Sequence, residues 1–354
     1  MDILKRRETK GVRVGPFIIG AGNPIRIQSM TTTRPSDLEA TLNQIADLEA
    51  EGCEIIRVAV PTLEDARALK IIKKRIKIPL VADIHFDYQL AIESIRSGVD
   101  KLRINPGNIG NEEKIKAVVE EAKKHDVPIR IGVNAGSLEK NILEKYGHPT
   151  PEAIVESAMK HIQILEALDF YEIIVSLKSS DVLETLRAYD LLSKKVNYPL
   201  HIGITEAGTK FGGTIKSSVG IGSLLVLGLG DTLRVSLTGN PVEEIRVAKG
   251  ILKSLNLRSF GINIISCPTC GRCNIDLDRI ATVIEKKLAT IDKNITVAIM
   301  GCAVNGPGEA KEADLGIAGG RNEAVLFKKG KIIRKIPESQ IIEELIKEIE
   351  AIDE

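Results

Sequence analysis

Apolar, β-branched runs recur along the first two-thirds of the chain, and each is followed by a stretch with helical spacing. The runs fall at 25–30, 55–60, 80–85, 101–106, 129–134, 173–178, 200–205 and 232–238. After the first of them, Leu38, Thr41, Leu42, Ile45 and Leu48 stand three and four residues apart, which marks one buried helix face. Strand and helix alternating in this way imply parallel strands, because only a crossover connection returns the chain in the same direction. Eight such units over roughly 230 residues predict a (β/α)8 TIM barrel rather than an open doubly wound sheet. Ahead of it, 12–19 reads as a hairpin turning at Gly15-Pro16 and covering the bottom of the barrel. From Gly261 the pattern changes: strands at 262–266, 295–300 and 314–318, a helix at 275–290, a hairpin at 323–336 and an amphipathic helix at 338–352. The expected division is therefore a substrate-binding barrel at 1–258 and a small α/β domain at 259–354.

Composition narrows the class. The longest membrane candidate, 219–229, carries glycines at 220, 222 and 228 and falls short of the roughly 20 residues a span requires, so no membrane association is expected. Lysine plus arginine number 49 against 48 aspartates and glutamates, which leaves no global field to hold nucleic acid. Any anion site must be local. The opening segment, Met1 to Lys10, lacks an apolar signal region, so a reducing, cytoplasmic environment is expected.

Barrel enzymes carry their chemistry at the C-terminal ends of the strands, and here those ends are polar. Arg57, Arg103, Arg130 and Arg234 alternate with apolar neighbours and are expected to point inward, joined by Asp83, Asn134, Lys178, Glu206 and Ser236. Four arginines and Lys178 facing only Asp83 and Glu206 leave positive charge unbalanced, and guanidinium forks suit phosphate oxygens. A carboxylate makes a poor ligand for an anion, so Glu206 reads as an acid–base group or a hydroxyl acceptor. His85, two residues past Asp83, either lines the site or holds its loop, and the other four histidines read as surface or helix-end residues.

Of five cysteines, Cys53 stands alone before an apolar run and reads as a core residue, whereas Cys267, Cys270, Cys273 and Cys302 lie close together near the end of the chain. The two-residue gap between Cys267 and Cys270 lets one turn aim both sulfurs at one metal, with Cys302 closing the site from a second loop. Zinc and iron–sulfur both fit this spacing, and disulfides are the competing reading. For the fourth ligand of a cluster, spacing favours Cys273; Glu309, beyond the turn Asn305-Gly306-Pro307-Gly308, is the alternative.

At these residues the chain resembles the 4-hydroxy-3-methylbut-2-enyl diphosphate synthase family, iron–sulfur enzymes of the methylerythritol phosphate route to isoprenoids. The likeness covers essentially the whole chain. It is carried by Ser266-Cys-Pro-Thr-Cys270-Gly-Arg272 and Met300-Gly-Cys302-Ala-Val-Asn-Gly-Pro-Gly-Glu309, supported by Gln28-Ser-Met-Thr31, Ala82-Asp-Ile-His85, Arg103-Ile-Asn-Pro-Gly107 and Arg130-Ile-Gly-Val-Asn-Ala-Gly136. The resemblance implies that Cys267, Cys270, Cys302 and Glu309 hold a [4Fe-4S] cluster and that Cys273 does not. It implies that Arg57, Arg103, Arg130, Asn134, Lys178, Arg234 and Ser236 clamp a diphosphate, and that Glu206 protonates a departing hydroxyl. The implied reaction is reductive ring opening of 2-C-methyl-D-erythritol 2,4-cyclodiphosphate, with flavodoxin or ferredoxin as electron donor. A homodimer, each cluster domain covering the partner's barrel, is implied as well.

Overall fold

The computed structural model describes residues 5–288, 291, 293–302 and 310–352. By the density of its internal contacts the chain divides into two compact units, Met1–Arg258 and Ser259–Glu354.

The first unit is a parallel barrel. Strands β1 (Val12–Val14) and β2 (Phe17–Ile19) form an antiparallel hairpin, with Gly15 at φ +56° in the turn. The barrel strands follow: β3 (Arg26–Met30), β4 (Ile55–Ala59), β5 (Leu80–Asp83), β6 (Lys101–Ile104), β7 (Ile129–Asn134), β8 (Ile173–Lys178), β9 (His201–Ile202) and β10 (Thr232–Leu233). Their order is β8-β7-β6-β5-β4-β3-β10-β9, and a parallel bridge from Val175 to Leu200 joins the two ends. All eight predicted runs are present. The connecting helices begin where the sequence supplies caps: Asp37, Thr62, Asp87, Asn111, Thr150 and Asp181 each accept a backbone N–H from the first turn. Val12, Val14 and Ile19 of the hairpin pack against Ile55, Val81 and Ile174, so apolar side chains close the N-terminal end of the barrel.

Two strands are shorter than their apolar runs. β9 ends at Ile202, and the following Gly203 lies close against the next segment, where a Cβ would stand 2.5 Å from the Arg234 carbonyl oxygen. β10 ends at Leu233, and further on the Leu237 N–H donates to a carboxylate, Glu244, at 3.1 Å rather than to a strand. Cys53 is a core residue, its thiol pushed up to about 12 chiefly by burial. Two histidines depart from expectation: His161 and His201 are buried, not superficial. His201 lies on an inward position of β9, where its Nδ1 meets the Thr232 hydroxyl at 2.8 Å.

The second unit is a five-stranded sheet ordered β11-β12-β13-β14-β15: β11 (Asn263–Ser266), β12 (Thr296–Met300), β13 (Leu315–Gly319), β14 (Glu323–Lys328) and β15 (Lys331–Pro337). The first three are parallel and the last two close the sheet as an antiparallel hairpin. Alternation sorts β12 between two faces. Val297 and Ile299 meet the helices Leu277–Leu288 and Ile341–Glu350 through Ile280, Ile284, Leu345 and Ile349. Ala298 and Met300 pack on the other face with Phe327, Ala310 and Ala313.

Candidate active site

Period-two alternation brings every second barrel residue inward, and at the C-terminal end these positions meet in a cavity of about 220 Å³. β4 contributes Arg57, β5 Asp83, β6 Arg103, β7 Arg130 and Asn134, and β8 Ser176 and Lys178. Beyond β9 and β10, Thr205, Arg234 and Ser236 complete the wall, with Met30 and His85 at its edge. The seven residues that the sequence assigned to substrate contact all line this one space. It is smaller than the roughly 300–1,000 Å³ of drug-sized sites, which suits a compact ligand. A larger hollow of about 520 Å³ lies outside the barrel, where Glu112 and Glu113 offset Lys116 and Lys160 and no strand residue contributes.

The cavity is cationic. Asp83, 4% exposed, accepts from Arg103 at 2.9 Å and faces Arg57 Nε at 3.5 Å. Desolvation pushes the Asp83 carboxyl up, but Arg57, His85, Arg103 and Arg130 together outweigh it and hold the group well below the usual carboxylate range. Arg234 is paired with Glu244, from the helix Val242–Ser254, at 3.1 Å. Arg130 donates to Ser176 at 3.2 Å, while its Nε and one terminal nitrogen find no acceptor among the described residues. Lys178 has no hydrogen-bond or ion-pair partner among the described residues. Burial, then the surrounding arginines, press Lys178 and Arg130 well below their ordinary values, and burial lowers Arg57 to about 10. Five cations therefore line the cavity with one carboxylate, Asp83, while Glu244 pairs with Arg234 from behind, and an anion entering the cavity would supply the missing counter-charge.

Glu206 is placed differently from its expected position in this layer. Thr205 is the last inward residue of its run, and Glu206 follows it at φ +50°, exposed and without hydrogen bond or ion pair among the described residues. The second carboxylate of the layer is Glu244, which the strand-end inventory missed because it belongs to the following helix. Lys101 was also missed, although it stands two residues before Arg103 and so shares its inward face. It is fully buried and donates to Gln28 Oε1 at 3.1 Å.

Gly132 shows how tightly the cations are set. A Cβ there would stand 2.4 Å from Arg103 Nε, and the far end of that side chain would have to move. Gly132→Ala is expected to displace Arg103 from Asp83 and weaken binding of inorganic pyrophosphate roughly 10–100-fold, with the fold retained. Calorimetric titration with pyrophosphate beside an unchanged far-ultraviolet spectrum checks this.

In the second unit, the cysteine loops follow neighbouring parallel strands, with Cys267 directly after β11 and Cys302 two residues after β12. The Gly301 N–H donates to Cys267 Sγ at 3.2 Å, which ties the two loops together. Cys270 is exposed, and the Arg272 N–H leads the effects that lower its thiol below the ordinary value. Cys273 packs on the domain core, as Cys267 does; its Sγ donates to the Ile275 carbonyl at 3.2 Å, and a Cβ on Gly301 would lie 2.5 Å from that sulfur. Among the described residues no three histidine, cysteine or carboxylate side chains are gathered as a ready metal cage. Glu309 lies outside the described residues. The donors fit an iron–sulfur group in kind, being soft thiols on adjoining strand-end loops.

A TIM barrel with a cationic mouth, followed by a small α/β domain bearing cysteine loops, is the layout of a two-domain barrel enzyme. The chain belongs to the GcpE family: the GcpE TIM-barrel domain matches residues 9–249 and the GcpE protein C-terminal domain matches 263–351. It is 61% identical over 353 residues to the 4-hydroxy-3-methylbut-2-en-1-yl diphosphate synthase (flavodoxin) of Geobacillus kaustophilus (strain HTA426), covering 100% of this chain and 94% of the relative. It is also 61% identical over 348 residues to the protein of the same name from Caldanaerobacter subterraneus subsp. tengcongensis, with 98% of each chain covered. Among solved structures, dihydropteroate synthase from Yersinia pestis superposes with a TM-score of 0.50 at 12% identity, over 70% of this chain and 98% of that one. That likeness is one of fold alone.

Proposed function

We propose that this chain catalyses the reductive ring opening of 2-C-methyl-D-erythritol 2,4-cyclodiphosphate to 4-hydroxy-3-methylbut-2-enyl diphosphate, a step of isoprenoid precursor biosynthesis. The observation that carries the proposal is the cavity in which five cations face one carboxylate, Asp83, with Glu244 behind Arg234, in a chain whose full-length relatives bear that enzyme's name. Arg57, Arg103, Arg130 and Arg234 present guanidinium donors to the diphosphate oxygens, with Lys178 as a further point charge. Asn134 and Ser236 add neutral donors or acceptors that fix the ligand's orientation. Two electrons enter and one oxygen departs as water. Glu206, exposed beside Thr205, would supply a proton to that oxygen.

Cys267, Cys270 and Cys302 would hold a [4Fe-4S] cluster, with Glu309 as fourth ligand. When bound, this group supplies single electrons and, because a carboxylate binds iron more weakly than thiolate does, a displaceable coordination position with Lewis acidity. The bond from the Cys273 thiol to the Ile275 carbonyl, which occupies its proton within the loop, supports its exclusion from the ligand set. Flavodoxin, which the relatives' names specify, or ferredoxin would deliver the electrons. The free state of all five cysteines supports work in a reducing setting, for which we propose the cytoplasm.

We further propose a homodimer in which the cluster domain of one chain serves the barrel of the other. Anaerobic assay with the cyclic diphosphate and a chemical one-electron reductant is expected to give the linear diphosphate. Turnover by a colourless, zinc-loaded preparation would sink the proposal. Mixing Glu206→Gln chains with Cys270→Ser chains is expected to restore part of the activity, whereas confirmed heterodimers without recovery would refute the shared site.

A further inference from the structure

We propose that Glu244, a residue outside the cavity wall, positions Arg234 for the diphosphate and fixes which edge of its guanidinium meets the ligand. The proposal rests on the diphosphate reading of the cavity. Glu244 is 3% exposed and its two oxygens are fully used. Oε1 accepts from Arg234 Nη2 at 3.1 Å and from the Leu237 N–H at 3.1 Å. Oε2 accepts from Arg234 Nε at 3.3 Å and from the Ser29 hydroxyl at 3.0 Å.

One carboxylate thus ties together a cavity cation, the main chain three residues further on, and β3 on the neighbouring side of the barrel. The pair is side-on: Nε and Nη2 face Glu244, so Nη1 is the terminal nitrogen without an acceptor among the described residues. A fork held by one edge presents the other edge in a single orientation. The sites of the remaining arginines differ. Arg57 and Arg103 share Asp83, and Arg130 has only a hydroxyl acceptor. Arg234 is the cavity arginine with a carboxylate to itself, and Ser236, also in the wall, stands between the two points that Glu244 holds.

A positioning role and a charge effect predict opposite signs, which makes the proposal sharp. Removing a negative charge beside a cationic cavity would, by Coulomb's law alone, tighten anion binding. Glu244→Gln also replaces one of two acceptors with a donor, which would face Arg234 or the Leu237 N–H, so the guanidinium must turn away. Glu244→Gln is therefore expected to weaken binding of inorganic pyrophosphate about 10-fold, and to raise KM for the cyclic diphosphate by a similar factor while kcat changes less. In an Arg234→Ala background the same change should add little, because the residue through which Glu244 acts is gone.

Calorimetric titration of the holoenzyme with pyrophosphate, for wild type, the two single variants and the double variant, tests this. Unchanged or tighter binding in Glu244→Gln, or penalties that add in the double variant, would overturn the proposal. A lower melting temperature at unaltered KM would reduce Glu244 to a structural role and overturn it equally. Should Glu244→Gln fail to fold, Ser29→Ala removes one of the four donors without leaving a buried charge unpaired. It is expected to weaken pyrophosphate binding in the same direction, by less, and no change there would count against the idea. If Arg234→Ala itself leaves pyrophosphate binding intact, it is the diphosphate reading of the cavity that fails.

Discussion

Replacing Cys270 by serine is expected to strip the chain of iron and sulfide and to reduce turnover far beyond the roughly 10–100-fold typical of losing an outer-shell partner. Replacing Cys273 by serine is expected to leave iron content intact. The two residues are three apart in one loop, and spacing alone favours them equally as ligands. Their surroundings separate them. The Cys270 sulfur is exposed and its thiol is lowered, first by the Arg272 N–H, a setting that favours the ligating thiolate. The Cys273 sulfur packs on the domain core and donates to the Ile275 carbonyl, a bond that a serine hydroxyl can reproduce. Iron and sulfide analysis of anaerobically purified variants decides the matter, together with visible absorption. A Cys273→Ser protein without iron beside a Cys270→Ser protein that keeps it would reverse the assignment.

Asp83→Asn is expected to destabilise the barrel by about 3–5 kcal/mol at neutral pH, the usual cost of removing one partner from a buried ion pair. Arg57 and Arg103 would then face each other and Arg130 without their shared counterion. The pH dependence follows from the depressed carboxyl. A group held well below its unfolded value of about 3.9 contributes stability that is fully present above that value, and this is lost as pH falls toward the folded one. Wild type should therefore lose this contribution below about pH 4, and the gap between the two proteins should narrow there. Urea unfolding from pH 7 to pH 3 measures it. A gap that stayed constant over that range would show that Asp83 does not stabilise the fold through its charge. Pyrophosphate should raise the melting temperature of both proteins, since an anion can replace the missing counterion.

Much of the barrel was legible because its signal is periodic. Eight β-branched runs, each with a helix pattern behind it, leave few topologies, and the right-handed crossover of parallel units leaves one closed form. Residue parity likewise placed Arg57, Arg103, Arg130 and Lys178 inward, and Asn134 and Ser236 at the rim, since a strand has only two faces. What parity could not reach was any partner supplied by another element. Glu244 reads in the sequence as the second of two acids opening a helix, an ordinary complement to the helix dipole. Only the packing of that helix against β3 and the segment after β10 turned it into the counterion of Arg234. Glu206 shows the converse. Its place one residue past Thr205 suggested the cation layer, and the left-handed backbone there sets it outside.

The sequence by itself determined the order of elements, the inward face of each strand, the excess of positive charge and the set of thiols, because these follow from local periodicity and residue chemistry. The tertiary structure alone decided which charges pair, which histidines are buried and which carbonyl the Cys273 thiol meets. Those depend on contacts between residues far apart in the chain, and the free energy of a buried charge is set by what surrounds it rather than by its neighbours in sequence.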